Sequence, residues 1–379
     1  MRRLVAAVAL LLTSSGLAIA AYDAPAPLVT AAAKAAEVAL PGPVSAPSTA
    51  STTATAPAEP AAPAEPAAAP TEPSTTAPLI TIPPVTLPPL TVPTLPPPPT
   101  TAPPAPAPAP TAGMAPYLGL GTWVDVYDWS NSYTGNQPTV SPADVDRMAE
   151  VGVQTLYIQA SKHDAPTDVL EPDLLQAHID RAKRRGLRVV VWYLPTLVDT
   201  GRDLQRLKAV AALRNIDGLA VDIEARNVGD VNERNRRLVD LSAALRSALP
   251  GRTIAGIVLP PVALEVINQN YWPAFPYRDI APHYDLWMVM GYWSNRTAAS
   301  GYRDAYRYTK ENVDRLRNNL GQPNAPVHPI GGIGHSINGA DVEAYKRAVT
   351  AVSGIGGSIY DWHTTAADLW PRLRPMQLR

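Results

Sequence analysis

The strongest constraint on how this chain can fold is a repeated alternation over its last 265 or so residues, in which short apolar β-rich segments are separated by amphipathic helical ones. The β-rich segments are Leu118–Val126, Val153–Ala160, Arg188–Leu194, Gly218–Ala225, Thr253–Leu259, Leu286–Tyr292, Val327–Gly332 and Gly357–Trp362. Between and after them, helices are predicted at Pro142–Val151, Pro172–Arg185, Arg202–Arg214, Val231–Leu249, Val262–Asn268, Tyr302–Leu320, Gly339–Val352 and Ala366–Leu373. Cap chemistry agrees, with Ser141-Pro142 at a start and Gly152, Gly186 and Pro250-Gly251 at stops. Eight β/α units in about 265 residues is the (β/α)8 TIM barrel count. A doubly wound open sheet is the alternative, and it lacks a Gly-rich phosphate loop after the first strand.

Three segments follow from composition. Residues 1–21 open with Met1-Arg2-Arg3, continue with the apolar run Leu4 to Leu12, and close on small residues. That order predicts a signal peptide and an exported protein, secreted or associated with the cell envelope. A retained membrane anchor is the alternative reading of the same run. Residues 22–112 are Pro, Ala and Thr with more than half of the 43 prolines, which predicts a disordered, partly polyproline-II linker. At about 3.1 Å per residue it could reach about 200 Å or more. Residues 113–379 form the barrel domain. The net charge of −1 implies neither nucleic acid nor an anionic membrane as partner, and the mature chain is expected to be a monomer without a membrane span. The absence of cysteine removes disulfides, thiol catalysis and thiolate metal sites.

Chemistry concentrates in Asp217-Gly218-Leu219-Ala220-Val221-Asp222-Ile223-Glu224. Alternation along a strand gives Leu219, Val221 and Ile223 one face and Ala220, Asp222 and Glu224 the other, so two acids share a face about 7 Å apart. In a barrel, reactive groups gather at the C-terminal strand ends. The remaining ends are rich in rings and polar groups: Trp123 and Asp125, Tyr157 and Gln159, Trp192, Tyr292 and Trp293, Asp361 and Trp362. Rings around paired acids suit a carbohydrate cleft, so these residues are expected to contact a polysaccharide or cell-wall glycan. The plainer alternative for any single ring is loop packing. The six histidines form no His-x-x-x-His or His-Glu-x-x-His pattern, and no metal or cofactor is expected. His335 and His363 follow strand ends and could hydrogen-bond a substrate. There is no Gly-x-Ser-x-Gly elbow, and Gly331-Gly332-Ile333-Gly334 lacks the setting of a dinucleotide fingerprint.

The octet resembles the strand-four signature Asp-x-x-Asp-x-Asp-x-Glu of the chitinase-like family 18 glycoside hydrolases. Asp217, Asp222 and Glu224 match, while Ala220 stands where that family has its second Asp. The resemblance implies a glycoside hydrolase with Glu224 as general acid and Asp222 as the residue that orients an N-acetyl group. Tyr292 is similar to the family's strand-six tyrosine, and Trp362 to the tryptophan under its sugar site. Trp293 replaces the family's usual Asp, and the third strand lacks its Ser-x-Gly-Gly pattern. Without the Asp at position 220, Asp222 loses a like-charged neighbour, and a second carboxylate among Asp222, Asp125 and Asp361 would serve a conventional mechanism. The rival expectations are a catalytically inactive glycan-binding barrel and a purely structural envelope protein.

Overall fold

The computed structural model describes residues 112–377; the expected signal peptide and nearly all of the linker lie outside them. Eight parallel strands close into a barrel in sequence order: β1 Gly119–Val124, β2 Thr155–Gln159, β3 Arg188–Tyr193, β4 Gly218–Ile223, β5 Ile254–Val258, β6 Leu286–Met290, β7 Val327–Ile333 and β8 Gly356–Tyr360. All eight expected strands are present, most of them one to two residues shorter at their ends. The open-sheet alternative is excluded by the β1–β8 pairing, in which Gly119 lies opposite Gly356 and Gly121 opposite Ser358.

The helices in chain order are α1 Val126–Trp129, α2 Asn131–Thr134, α3 Asp144–Val151, α4 Pro172–Arg184, α5 Thr200–Ala211, α6 Val231–Ala248, α7 Tyr277–Ile280, α8 Ala305–Leu320, α9 Gly339–Ala351 and α10 Trp370–Leu373. Side-chain caps fix several starts, because an acceptor at the N-cap satisfies a backbone N–H that the helix leaves free. Asp199 accepts from Arg202 N, Asp230 from Glu233 N and Asp304 from Arg307 N. The helix expected over 262–268 is a single π-helical turn, Ala263–Ile267, and the four-residue helices α1, α2 and α7 are too short to carry a periodic signal.

Strand parity divides inside from outside. Leu156, Ile158, Val189, Val191, Leu219, Val221 and Ile223 are buried on the side that faces the helices. The opposite parity faces the barrel axis: a Cβ on Gly218 would lie 2.5 Å from the Tyr117 hydroxyl, and one on Gly121 would strike the Tyr157 ring. Tyr117, from the 3-10 turn Ala112–Tyr117, closes the floor. Its hydroxyl accepts from Leu219 N at 2.9 Å and lies 2.8 Å from the Leu219 carbonyl as donor. Asp217 is also at this lower end, where it accepts from Val189 N and pairs with Lys183, so the first acid of the octet serves the floor. Above Tyr117 the interior holds His328, Tyr157, Ser358 and Trp123 in place of the usual aliphatic layers.

Candidate active site at the C-terminal mouth of the barrel

Asp222 is the fifth residue of β4 and Glu224 the first beyond its end, both with the parity of Gly218 and Ala220, so both carboxyls face the axis at the upper end. They are 7% and 9% exposed, and Asp222 Oδ1 and Glu224 Oε2 are buried without a hydrogen-bond partner. Burial pushes both carboxyls up. Asp222 rises well above the ordinary range, with a further push from the Glu224 charge, and Glu224 rises to about 7. A carboxylic acid held near 7 is half-protonated at neutral pH, which is the condition for donating and taking back a proton.

A second acidic group lies at the ends of β1 and β8. Asp125 caps α1, accepting from Tyr127 N at 2.7 Å, while Asp128 reaches back to Asp125 N at 3.2 Å. The Tyr360 hydroxyl donates to Asp125 at 2.6 Å, and Asp361 accepts from Thr364 N at 2.8 Å. Oxygens of Asp125, Asp128 and Asp361 lie within 4.8 Å of one another. Burial, then the Asp361 charge, raises Asp125 to about 6; burial, then Asp125 and Asp361, raises Asp128 to about 9; burial also raises Asp361. These are hard oxygen donors of the kind Ca2+ or Mg2+ takes, although Asp125 and Asp361 already accept bonds from within the chain.

Tyr292 links the two groups. Burial raises its hydroxyl, and the charges of Glu224, Asp222, Asp361 and Asp125 raise it further. Its ring lies 5.7 Å from that of Tyr360, which in turn lies 6.3 Å from Trp123. Trp123 meets the Trp192 ring edge-on at 6.1 Å. The indole N–H of Trp123 donates to Ser358 at 2.8 Å, whereas that of Trp192 is buried without a partner.

Several residues expected to contact a ligand are instead engaged with other parts of the chain. Tyr157 is fully buried, stacked on Trp123 at 4.5 Å and edge-on to His328, which places it inside the barrel. Gln159 is committed to the chain itself, accepting from Val126 N and donating to the Ser161 carbonyl. Trp293 is turned outward by the 3-10 turn Trp293–Asn295 and packs on Tyr345 of α9 at 5.3 Å. Trp362 packs on Trp370 at 5.0 Å, and Tyr360 takes the inward place at the end of β8. His335 and His363 are exposed; His363 lowers Asp361 by its charge. Tyr360 and Asp128 were missed as site residues. The parity Gly356, Ser358, Tyr360 carries a signal for the first, and Asp128 is only legible once a helix is known to start at Val126.

A groove of about 970 Å³ lies outside the barrel wall, lined by Leu264, Trp272, Phe275, Tyr277 and Asn319, and none of the mouth acids reaches it. Among the described residues no helix is long and apolar enough to cross a membrane.

The solved structures share this architecture. A GH18 chitinase from Cycas revoluta in complex with (GlcNAc)3 superposes with a TM-score of 0.51 over 68% of this chain and 98% of its own, at 13% identity. The barrel is chitinase-like in fold. A complex of a Cycas revoluta family GH18 chitinase with allosamidin gives 0.50 at 13% identity, again over 68% of this chain and 98% of its own. The Bacillus cereus spore cortex-lytic enzyme SleL gives 0.50 at 8% identity, over 69% of this chain and 74% of its own. No protein-family model and no curated protein matches the sequence. At such identities the likeness is one of fold, and the chitinase-like barrel presents its own set of groups: Ala220, fully buried between Trp192 of β3 and Ala255 of β5, stands below Asp222 with no carboxylate.

Proposed function

We propose that this barrel is an exported glycoside hydrolase acting on a polysaccharide or cell-wall glycan, with Glu224 as general acid and base and Asp222 as its helper. The observation that carries the proposal is the inward-facing pair at the end of β4, whose free oxygens are buried and whose Glu224 carboxyl sits at about 7. In the step proposed, the Glu224 proton passes to the glycosidic oxygen as the C1–O bond breaks. A water then supplies hydroxyl to C1 and returns its proton to a carboxylate of the site. Asp222 stands beside Glu224 with its own carboxyl pushed well above the ordinary range by burial and then by the Glu224 charge. Trp192, Tyr292 and Tyr360 supply the ring faces that would hold the sugar, and the order of charged, apolar and small residues at 1–21 supports export.

Release of reducing ends from a panel of glycans, compared between the parent and Glu224→Gln, tests the assignment. Loss of about a hundredfold or more in the variant is expected; unchanged hydrolysis would remove Glu224 from the mechanism. A glycan-binding barrel without catalysis is the second reading, favoured by the absence of a carboxylate at Ala220. It predicts equal binding and no cleavage by either protein.

A further inference from the structure

A cavity of about 260 Å³ opens on the rim of the barrel mouth, where the chain leaves β2, β3 and β4, and none of the groups proposed for catalysis lines it. Its walls are His163 from the loop after β2, Tyr193 at the end of β3, Thr196 and Val198 from the loop that follows, and Asn227 from the loop after β4. Asn227 is three residues past Glu224, so the two Cα atoms are at most about 11 Å apart. A chain held at the acid pair can therefore reach it. The volume falls just under the range of about 300–1,000 Å³ that encloses a drug-sized ligand, which suits one sugar ring.

The chain's own bonds hold this wall in shape. Leu197 has a φ of +63°, a left-handed conformation that leucine rarely takes, and such strain persists only where the surroundings over-determine it. Here they do: Leu197 N donates to Asp203 at 2.9 Å, and Arg237 donates to the carbonyls of Leu197 at 2.9 Å and Val198 at 2.8 Å. Leu197 is thereby buried, while Val198 stands 57% exposed at the edge of the cavity.

The charges around the cavity are already engaged. Asp203 accepts from the Tyr193 hydroxyl at 2.6 Å, Asp199 from Arg202 N at 2.9 Å, and the Arg202 guanidinium lies 3.0 Å from Asp168. Arg206, buried in the wall, donates to the carbonyls of Thr167, Ala165 and His163, and its Nε–H is left without a partner. The Asn227 amide and the His163 imidazole make no hydrogen bond among the described residues. His163 is pushed below its ordinary value by burial and then by the Lys162 charge, which keeps it uncharged at neutral pH. Uncharged donors and acceptors beside an exposed aliphatic group match the hydroxyls and the apolar face of a neutral sugar.

Resting on the carbohydrate reading of the mouth, we infer that this cavity is a further subsite for the same glycan, taking one uncharged sugar unit beyond those at the acid pair. Asn227 and His163 bond its hydroxyls, and Val198 meets its apolar face.

The test is equilibrium binding of the full-length chain to β-1,4-linked oligomers of N-acetylglucosamine and of glucose, two and six units long, and to a hexamer of galacturonic acid. Affinity is read by calorimetry, and the His163 imidazole is followed by NMR and assigned with His163→Gln. A neutral six-unit chain is expected to bind about tenfold or more tightly than its two-unit counterpart, and to shift the His163 signal where the two-unit chain does not. Asn227→Ala should remove most of that gain while melting at the parental temperature, because the Asn227 side chain bonds nothing in the fold. Equal affinity for short and long chains, a gain that Asn227→Ala leaves intact, an unmoved His163 signal, or no binding of any neutral oligomer overturns the inference. A galacturonic acid hexamer that shifts His163 where the neutral hexamers do not also overturns it, by assigning the cavity to an anion. Because the readout is binding, the two proposals fail separately: a gain with length that depends on Asn227 but comes without cleavage sinks only the hydrolase, and cleavage with an affinity indifferent to length sinks only the subsite.

Discussion

At the scale of single residues, alternation alone puts Asp222 and Glu224 on one face, and the structure places Asp222 as the fifth residue of β4 and Glu224 just past its end. Their coupling makes a prediction. Burial alone raises Glu224 to about 7, while burial and then the Glu224 charge raise Asp222 well above the ordinary range, so Asp222→Asn should leave the alkaline limb of the pH–rate profile near pH 7 while lowering kcat. A limb that moves to lower pH would show that an ionised Asp222 helps to raise Glu224. Asp128 makes another. Its carboxyl is lifted to about 9 by burial and by Asp125 and Asp361, so the folded state holds a proton that the unfolded state releases near pH 4, and its contribution to stability falls as pH rises from there to about 9. Asp128→Asn keeps the acceptor for Asp125 N without that liability, so the variant should melt higher than the parent at pH 8, by a margin that shrinks towards pH 5. Thermal melts at the two pH values decide it.

At the scale of elements, the eight strands were legible because each is an apolar run bounded by turn residues, and the long helices because their periodicity spans several turns. What failed was reading every ring at a strand end as facing the mouth. Trp293 has the opposite parity to Met290 and Tyr292 and packs outward on Tyr345, whereas Trp362, two residues past the end of β8, shares the parity of Tyr360 and still packs on Trp370. α1 was hidden because Val126–Trp129 is one turn long and read as the tail of β1. The outward packing of Trp293 against Tyr345 has a measurable consequence. Trp293→Ala should cost about 3–5 kcal/mol of stability through the cavity it leaves, while activity per folded molecule stays at the parental level. Lost activity without lost stability would return Trp293 to the mouth.

At the scale of the whole molecule, the barrel is closed below by the turn Ala112–Tyr117, all but the first residue of which the sequence reading placed in the barrel domain. Tyr117 lies deep in the floor with its hydroxyl on Leu219, so residues 112–117 belong to the fold. Tyr117→Phe leaves the buried Leu219 N–H without its acceptor and is expected to lower stability by about 1–3 kcal/mol, measured by denaturant titration. A chain starting at residue 112 should melt with the full-length protein, whereas one starting at Gly119 should not. The mouth at the other end is where the interior changes from rings to acids, and that gradient from floor to opening was not legible in composition, because the acids come from strand ends more than 200 residues apart in the chain.

The central claim is that Glu224 holds a transferable proton at that opening, and the pH dependence of kcat on a cleaved glycan tests it most directly. A general acid must be protonated to act, so the rate should fall as pH rises through about 7, and Glu224→Gln should lose that limb together with the activity. A rate that stays flat from pH 6 to pH 9, or a limb that persists in the variant, would contradict it.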